Sequence, residues 1–438
     1  MTTKNQEHFY FAKHDTVALA NKYGTPLYVL SEDILRQNIR VLQEAFRDVH
    51  FQIKISYASK AFTSLAMCKI IDDEGPFLDT VSSGEFYTAL VAGIKGEKIT
   101  YHGSNKSIEE LTYALSNCVG CVVIDSEQEI PTLQQIAASL HITQPVMIRI
   151  NPGIMANTHE RILTGKADSK FGIPFAEACS AAQKIAAEAP NLRLIGLHCH
   201  IGSQIHDHEA YVAAASNLIA LYKDISARLP VCLQEINLGG GFNIDYLEQE
   251  TLFDIKGYAK ALNQLFLKHF SDGNIAMPTV GIEPGRYIVG PAGITLYRVG
   301  VIKNLSGLRK YVNVDGGLYE NPRPAMYNAE YRLLVANKYN QPKDDLVTVS
   351  GRCCESDTLF ENVMLQQSEP GDILAVLHTG AYQQSMASNY NRLPRPAVVL
   401  LKGSQSEIII RREEKEDMIS KDSVPSWLHA ETKGEKDV

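Results

Sequence analysis

Residues 55–62 read "ISYASKAF", and together with the residues just before them they decide the fold. Ile53, Ile55 and Tyr57 fall on one parity and Lys54, Ser56 and Ala58 on the other, the period-two signature of a β-strand. Lys60 stands just past the strand's end, in apolar company. A lysine there is ordinarily a solvated loop residue. Its meaning depends on what surrounds it once the chain has folded.

The unit that begins with "FQIKISYASK" recurs along the chain. Apolar, β-type stretches follow as "FLDTVS", "KITYHGS", "GCVVIDS", "QPVMIRINP", "LRLIGLHCHIGS", "VCLQEINLGGGF" and "TVGIEPGR", eight in all with the first. Amphipathic stretches such as "SSGEFYTALVAG", "SIEELTYALSN" and "FAEACSAAQKIAAEA" separate most of them. Eight alternating strand and helix units over about 230 residues have the size of a (β/α)8 barrel of the TIM type, an α/β fold. Chemistry in such barrels gathers at the C-terminal ends of the strands. The polar residues that fall there are Lys60, Asp79, His102, Asp125, Arg149, His198 and His200, then Gly239 to Gly241, then Glu283 and Arg286. As a set they predict one shared site, although Asp125 and His102 taken singly read as loop and capping residues.

From about residue 295 the pattern changes to short strands and turns: "ITLYRVGVI", "KYVNVDGG", "DLVTVSG", "DILAVLHTG", "PAVVLLKG" and "SEIIIRRE". This reads as a separate β domain. The strand-like "GTPLYVLSED" near the N-terminus precedes the barrel and is expected to pair with it. The expected organisation is therefore a barrel over residues 31–284, with 1–30 and 285–438 forming the β domain. A charged, mobile tail is expected after Trp427.

Composition narrows the functional classes. Hydrophobic residues make up 45% and charged residues 21% of the 438, as in soluble domains. No apolar run has the length of a membrane span. The first fifteen residues, "MTTKNQEHFYFAKHD", lack the apolar core of a secretory signal, so a cytoplasmic location is expected. The net charge of −8 argues against nucleic acid as a partner. Cys118 and Cys121 in "NCVGC" have C-x-x-C spacing but no second pair, and are read as ordinary buried thiols. "HCH" at 198–200 puts two imidazoles on one parity, yet zinc would need a third ligand, so no metal site is expected.

Eight motifs, "YASKAF", "LDTVSSGE", "SKFG", "HCHIGSQI", "NLGGGF", "EPGR", "GRCCES" and "GAYQQSMASNYNRLPRP", run in that order from residue 57 to 396. In these the chain resembles the fold-type III pyridoxal phosphate-dependent decarboxylases, and within them most closely the diaminopimelate decarboxylases. The resemblance covers nearly the whole chain and implies an alanine racemase-like barrel followed by a β-sandwich or barrel domain. Enzymes of this kind carry pyridoxal 5'-phosphate on a lysine amine, which would give Lys60 its meaning. By the same resemblance Gly240, Gly241 and the turn Glu283, Pro284, Gly285 and Arg286 hold the phosphate, with hydroxyls from Ser203 and Tyr382. A bare glycine run is otherwise as readily a flexible turn. Glu283 would face the pyridine nitrogen and keep it protonated; on the sequence alone, pairing with Arg286 reads equally well. His200 would stack on the ring, with Asp79 and Arg149 in support.

The resemblance further makes Cys354, not Cys353, the proton donor, and Glu355 the ligand of the substrate's distal amino group. This loop would reach the neighbouring subunit's site, implying a homodimer whose β domains carry substrate-binding and interface loops. The family usually continues Glu-Ser-Gly-Asp or Glu-Ser-Ser-Asp, whereas "ESDTLF" puts Asp357 one place early. Arg323 and Tyr327 in "ENPRPAMYN" match the carboxylate-binding pair, and a guanidinium fork suits a carboxylate. Arg286 and Tyr382 would also touch substrate. The implied activity is decarboxylation of meso-2,6-diaminopimelate to L-lysine and CO2, the last step of lysine biosynthesis. Left open are a related decarboxylase of the carboxynorspermidine, ornithine or arginine type and a non-catalytic pyridoxal phosphate-binding protein. A racemase would be expected to carry an arginine where Glu283 stands.

Overall fold

The computed structural model of the protein describes residues 7–152, 169–247 and 252–428. All eight expected barrel strands are present: Ile53–Ala58, Phe77–Thr80, Ile99–Tyr101, Cys121–Ile124, Gln144–Asn151, Leu192–His198, Glu235–Asn237 and Thr279–Ile282. They pair in parallel in chain order, and the ring closes where Val280 meets Ile53. Side chains alternate across a strand, so a strand's inward parity is fixed once one residue is placed. Cys121, Val123 and Met147 form a small apolar cluster with Ile195. Lys54 and Glu235 make an ion pair of 3.0 Å at positions with little exposure, which neutralises two charges that could not be buried singly. Asp125 continues the parity of Cys121 and Val123, and Arg149 that of Met147.

The helices between the strands begin where side chains can satisfy orphan backbone donors. Ser82 caps Ser83–Val91 by accepting from the Glu85 N–H, and Ser107 with Glu110 forms a capping box at the start of Ile108–Ser116. Ala58 aligns with Asp79, and His198 with both Arg149 and Asn237. These registers bring the polar strand ends to one mouth of the barrel.

The second sheet is built on the long strand Gly293–Leu305, which pairs antiparallel with Ile373–Leu377, with Arg309–Val314 and with the N-terminal strand Leu27–Ser31. Leu27–Ser31 also pairs in parallel with Ala397–Lys402. The N-terminal segment thus crosses to the β region, as its strand-like pattern suggested. Two strands were not anticipated. Leu333–Val335 is only three residues long, and Thr358–Leu365 carries Glu361 and Asn362 in its middle, with Asn362 at φ 53°, which breaks the alternation that a sequence reading relies on. One thiol also departs from expectation: Cys121 is buried but Cys118 is exposed, in a turn with φ 57° that points it outward. Trp427 is exposed, and the tail expected to be mobile lies outside the described residues from 429 onward. Among the described residues no helix is long and apolar enough to cross a membrane.

A buried carboxylate ties the second sheet to the loop that carries Arg323. Glu320 is fully buried; its Oε1 accepts from the Tyr297 hydroxyl at 2.8 Å and the Gly317 N–H at 3.1 Å, while its carbonyl accepts from the Tyr28 hydroxyl at 2.5 Å. Oε2 has no partner. Burial outweighs these bonds and pushes the carboxyl up to about 8. Between the ordinary value and about 8 the folded chain binds a proton that the unfolded chain releases, so stability falls as pH rises through that window. The slope from this one group is at most about 1.4 kcal/mol per pH unit. Glu320→Gln should therefore gain stability over the wild type progressively from pH 5 to pH 8 in urea unfolding. A pH-independent difference would show that Glu320 is ionised in place.

Candidate active site

Lys60 lies in a short 3₁₀ turn, Ser59–Ala61, directly after the first barrel strand, and its side chain is exposed to the barrel mouth. The turn is fixed on both sides. The Ser59 hydroxyl lies 2.7 Å from the Asp79 carbonyl and 2.8 Å from Glu85 Oε2, the Thr63 hydroxyl donates to the Ser59 carbonyl, and the Tyr57 hydroxyl donates to the Phe62 carbonyl. The lysine stem is thus held by backbone anchored to two strand ends.

Opposite Lys60 the glycines of "LGGGF" bring three backbones together. A Cβ on Gly240 would stand 1.9 Å from the Glu283 carbonyl, and one on Gly241, at φ 109°, 2.0 Å from the Gly202 carbonyl. Only glycine allows this approach, so the run is a packed turn and not a flexible one. Arg286, almost wholly buried, leans over this turn. Its Nη1 donates to the Tyr246 hydroxyl at 2.5 Å and its Nη2 to Ser203 Oγ at 3.2 Å; its guanidinium lies 4.6 Å from the Tyr382 ring centre, and Nε has no partner. Tyr382 is held at φ 66°, with its N–H donating to the Ala61 carbonyl. Backbone in that region is strained for a bulky residue. A buried cation and the Ser203 and Tyr246 hydroxyls beside the close-packed glycine turn are groups that suit an anion. Tyr246 was not anticipated, since nothing local marks it.

Glu283 does not pair with Arg286. Its Oε2 lies 3.0 Å from His198 Nε2 and its Oε1 3.3 Å from His102 Nε2, which lies also 3.4 Å from Asp79 Oδ1. His102, read above as a loop or capping residue, is 5% exposed and packs edge-on against the His198 ring at 4.9 Å. Burial alone would raise the Glu283 carboxyl, but the two imidazoles hold it well below the usual carboxylate range. Burial pushes His198 down to about 4 despite Glu283, and pushes Asp79 up to about 6 against the pull of His102. His102 itself is raised, because Asp79 and Glu283 together outweigh its burial.

The "HCH" pair does not converge. The sixth strand ends at His198, so His200 leaves the strand's parity, and its Nδ1 accepts from the Gly240 N–H at 3.3 Å. The third donor that the sequence reading lacked is present elsewhere: His102, His198 and Glu283 offer ligand-type atoms within 4.8 Å of one another. Each imidazole faces its own carboxylate oxygen, an arrangement that hydrogen bonding accounts for. Arg149, its side chain 12% exposed, lies 3.6 Å from Asp125 and stacks over Phe171 at 4.6 Å, so "SKFG" covers that guanidinium.

Across the cavity from Glu283, Arg323 is 7% exposed and donates from Nε to the Tyr331 hydroxyl at 2.9 Å. That hydroxyl in turn donates to the Gln383 side-chain oxygen at 2.6 Å, while the Gln383 amide donates to the Thr379 carbonyl at 3.0 Å. The guanidinium is flanked by the rings of Tyr327, at 5.3 Å, and Tyr382, at 5.5 Å. Neither Tyr331, three residues past "ENPRPAMYN", nor Gln383, inside "GAYQQSMASNYNRLPRP", is singled out by the sequence, and only folding shows that they meet.

Cys354 and Glu355 are elsewhere. Cys353 is buried, Cys354 is exposed, and neither Cys354 nor Glu355 lines the cavity that holds Lys60. The loop is nonetheless ordered by its own contacts: the Cys354 N–H donates to Asn391 Oδ1 at 2.8 Å and the Tyr390 hydroxyl to Glu355 Oε1 at 2.7 Å. Asp357, the residue standing one place early, is buried and acts as the pin. Its two oxygens accept from the Leu318 N–H at 2.7 Å and the Cys353 N–H at 2.8 Å. Gly317 and Gly351 have no room for a Cβ because of it.

Residues 32–290 match the sequence model of the family described as pyridoxal-dependent decarboxylase, pyridoxal binding domain. The chain is 42% identical to the diaminopimelate decarboxylase of Bacillus methanolicus over 94% of its own length and 96% of that protein's. It is 41% identical to that of Bacillus subtilis over 93% of each. The crystal structure of diaminopimelate decarboxylase from M. jannaschii in co-complex with L-lysine superposes with a TM-score of 0.90 at 33% identity, covering 97% of this chain and 98% of that one. The chain belongs to the diaminopimelate decarboxylases, within the fold-type III pyridoxal phosphate enzymes.

Pyridoxal 5'-phosphate is the cofactor of these enzymes, and the residues present fit it. Two adjoining cavities, about 240 and about 440 Å³, share Lys60, Asp79, His200 and Glu283 as walls, within the roughly 300–1,000 Å³ usual for ligand pockets when taken together. Arg286 Nε is buried without a hydrogen-bond partner beside this cavity, and such a group calls for one.

The Asp357 pin is testable without substrate. Asp357→Ala leaves two buried N–H donors unsatisfied, a cost of about 1–3 kcal/mol each. The Leu318 and Cys353 amides should then exchange with deuterium markedly faster than in the wild type, while amides of the barrel strands keep their protection. Unchanged exchange at Leu318 would mean that the loop is held by other contacts.

Proposed function

We propose that the protein decarboxylates meso-2,6-diaminopimelate to L-lysine and CO2, the last step of lysine biosynthesis. The observation that carries this reading is Arg323: a buried guanidinium with Nε already engaged, flanked by Tyr327 and Tyr382, in the same cavity as Lys60 and Glu283. Its remaining N–H groups suit a carboxylate, and a substrate that keeps a distal carboxylate after losing the other needs such a fork. Ornithine and arginine end in a cation and would be repelled there.

Pyridoxal phosphate, when bound, supplies an electron-withdrawing ring that accepts the electron pair left at the α-carbon when CO2 departs. The protein's residues do the rest. Lys60 is the amine that would hold the cofactor's aldehyde carbon. Gly240, Gly241, Pro284, Gly285, Arg286, Ser203 and Tyr382 hold the phosphate; Arg286 and Tyr382 also reach toward substrate. Glu283 would meet the ring nitrogen and His200 the ring face, with Asp79 and Arg149 in support. Cys354 Sγ delivers a proton to the product's α-carbon, and Glu355 takes the distal ammonium group.

Because Cys354 and Glu355 lie away from the cavity of their own chain, they act in a partner's, and the working unit is a homodimer with shared sites. Residues 31–284 serve as the cofactor-binding barrel, and 1–30 with 285–438 as the β domain. The enzyme works in the cytoplasm, needing neither nucleic acid nor membrane.

Purified protein should be yellow and should release CO2 and lysine from meso-diaminopimelate, with borohydride fixing the cofactor on Lys60. A colourless protein that takes up no pyridoxal phosphate would remove the basis of the reading. Arg323→Leu should lower kcat/KM for diaminopimelate about 30-fold to 1,000-fold, the loss of roughly 2–4 kcal/mol expected of a bidentate charged contact. Turnover of lysine or ornithine, as poor substrates, should change far less; equal losses would mean a structural role. Mixing inactive Lys60→Ala and Cys354→Ala chains should restore about a quarter of wild-type activity, since half the dimers are mixed and half their sites intact. No recovery, with subunit exchange verified, would place both residues in one chain's site.

A further inference from the structure

Glu283 must stay ionised in a place where burial works against it. A carboxylate removed from water gains a proton readily, and a proton shared between a carboxylate and a pyridine nitrogen resides on the stronger base. A desolvated Glu283 with no other partners would take that proton for itself. Two imidazoles approach it from the ends of the third and sixth barrel strands, and they approach different oxygens. His198 Nε2 stands 3.0 Å from Oε2, and His102 Nε2 stands 3.3 Å from Oε1.

We propose that His102 and His198 are positioning residues for the cofactor's ring proton: each donates from Nε2 to one oxygen of Glu283, so that the carboxylate stays anionic and the shared proton resides on the pyridine nitrogen. The inference rests on the reading above, in which pyridoxal phosphate is bound with that nitrogen facing Glu283.

The geometry fixes the protonation states. Ionised Glu283 only accepts, so both imidazoles must carry hydrogen on Nε2. His198 does this as a neutral ring, and its Nδ1 is accordingly the atom left buried without a partner. His102 Nε2 faces two carboxylates, Glu283 Oε1 at 3.3 Å and Asp79 Oδ1 at 3.4 Å, and His102 is the ring with reason to be charged. The two rings pack edge to face at 63°, so neither turns without displacing the other. The charged and titratable groups acting on Glu283 and its two imidazoles include Lys54, Lys60, Asp79, Glu85, His102, Arg149, His198, Cys199 and His200. Of these only His102 and His198 reach its oxygens. Two motifs thereby acquire a purpose that the direct contacts did not give them: "YHGS" at the third strand and the first histidine of "HCH".

The test uses holoenzyme reconstituted with pyridoxal phosphate carrying ¹⁵N in its ring. The wild type should show the chemical shift of a protonated pyridine at neutral pH. In His102→Leu/His198→Leu the proton should pass to Glu283 and the protonated signal be lost. His102→Gln/His198→Gln, which keeps an N–H donor at each position, should restore it. A double leucine variant that binds cofactor with the wild-type shift, or a glutamine variant no better than leucine, would overturn the proposal. A second measurement needs no variant: in wild type with ¹⁵N-labelled histidine, both rings should carry hydrogen on Nε2. Finding His198 protonated on Nδ1 alone would overturn the proposal even if the leucine variants did not fold. Wild-type protein that binds no cofactor would instead sink the functional reading.

Discussion

A carboxylate buried inside a closed barrel constrains everything around it. Glu283 stands at the end of the eighth strand, beside the first, where the ring closes. Without compensation it would cost several kcal/mol to keep charged, or would simply protonate. The imidazoles that compensate it come from the third and sixth strands, which lie across the barrel and not next to it. Closure of the ring is therefore what makes the charge tolerable, and the charge is what makes the site useful. An open sheet with the same strands in the same order would leave Glu283 apart from His102.

That dependence explains what could and could not be read from the chain. The barrel was legible because period two and its interruption by amphipathic stretches are local properties. The strand ends were legible for the same reason, and Lys60, Glu283 and Arg286 do converge. Partners across the barrel were not legible: His102 lies 181 positions from Glu283, and no spacing relates them. The same holds for Tyr246 with Arg286 and for Tyr331 and Gln383 behind Arg323. In each case the motif residue was visible and the residue that aims it was not.

The early aspartate of "ESDTLF" is a related case with a different outcome. Along the chain it is a departure from the family's usual spacing. In the fold Asp357 turns inward and accepts two N–H groups, one from the loop itself and one from the turn before Glu320. A shift that looks like a loss along the chain is a repositioned anchor in space. The pin joins the cysteine loop to the segment that leads through Glu320 to Arg323, so the two loops are placed by one buried carboxylate each.

These placements divide the labour of the site. Groups proposed to hold cofactor come mainly from barrel strand ends, where register fixes them to one another through parallel pairing. Groups proposed to read the far end of the substrate come from segments of the second sheet: Arg323 and Tyr327 after the Gly317–Glu320 turn, Cys354 and Glu355 behind the Asp357 pin. Each of the latter is held by side-chain contacts from its own region, Arg323 by Tyr331 and Gln383, and Glu355 by Tyr390. On the proposed assignment, a change in those anchors would alter which distal group fits without moving Lys60 or Glu283. The separation lets one barrel serve decarboxylases for different amino acids, with specificity written on the loops that face it.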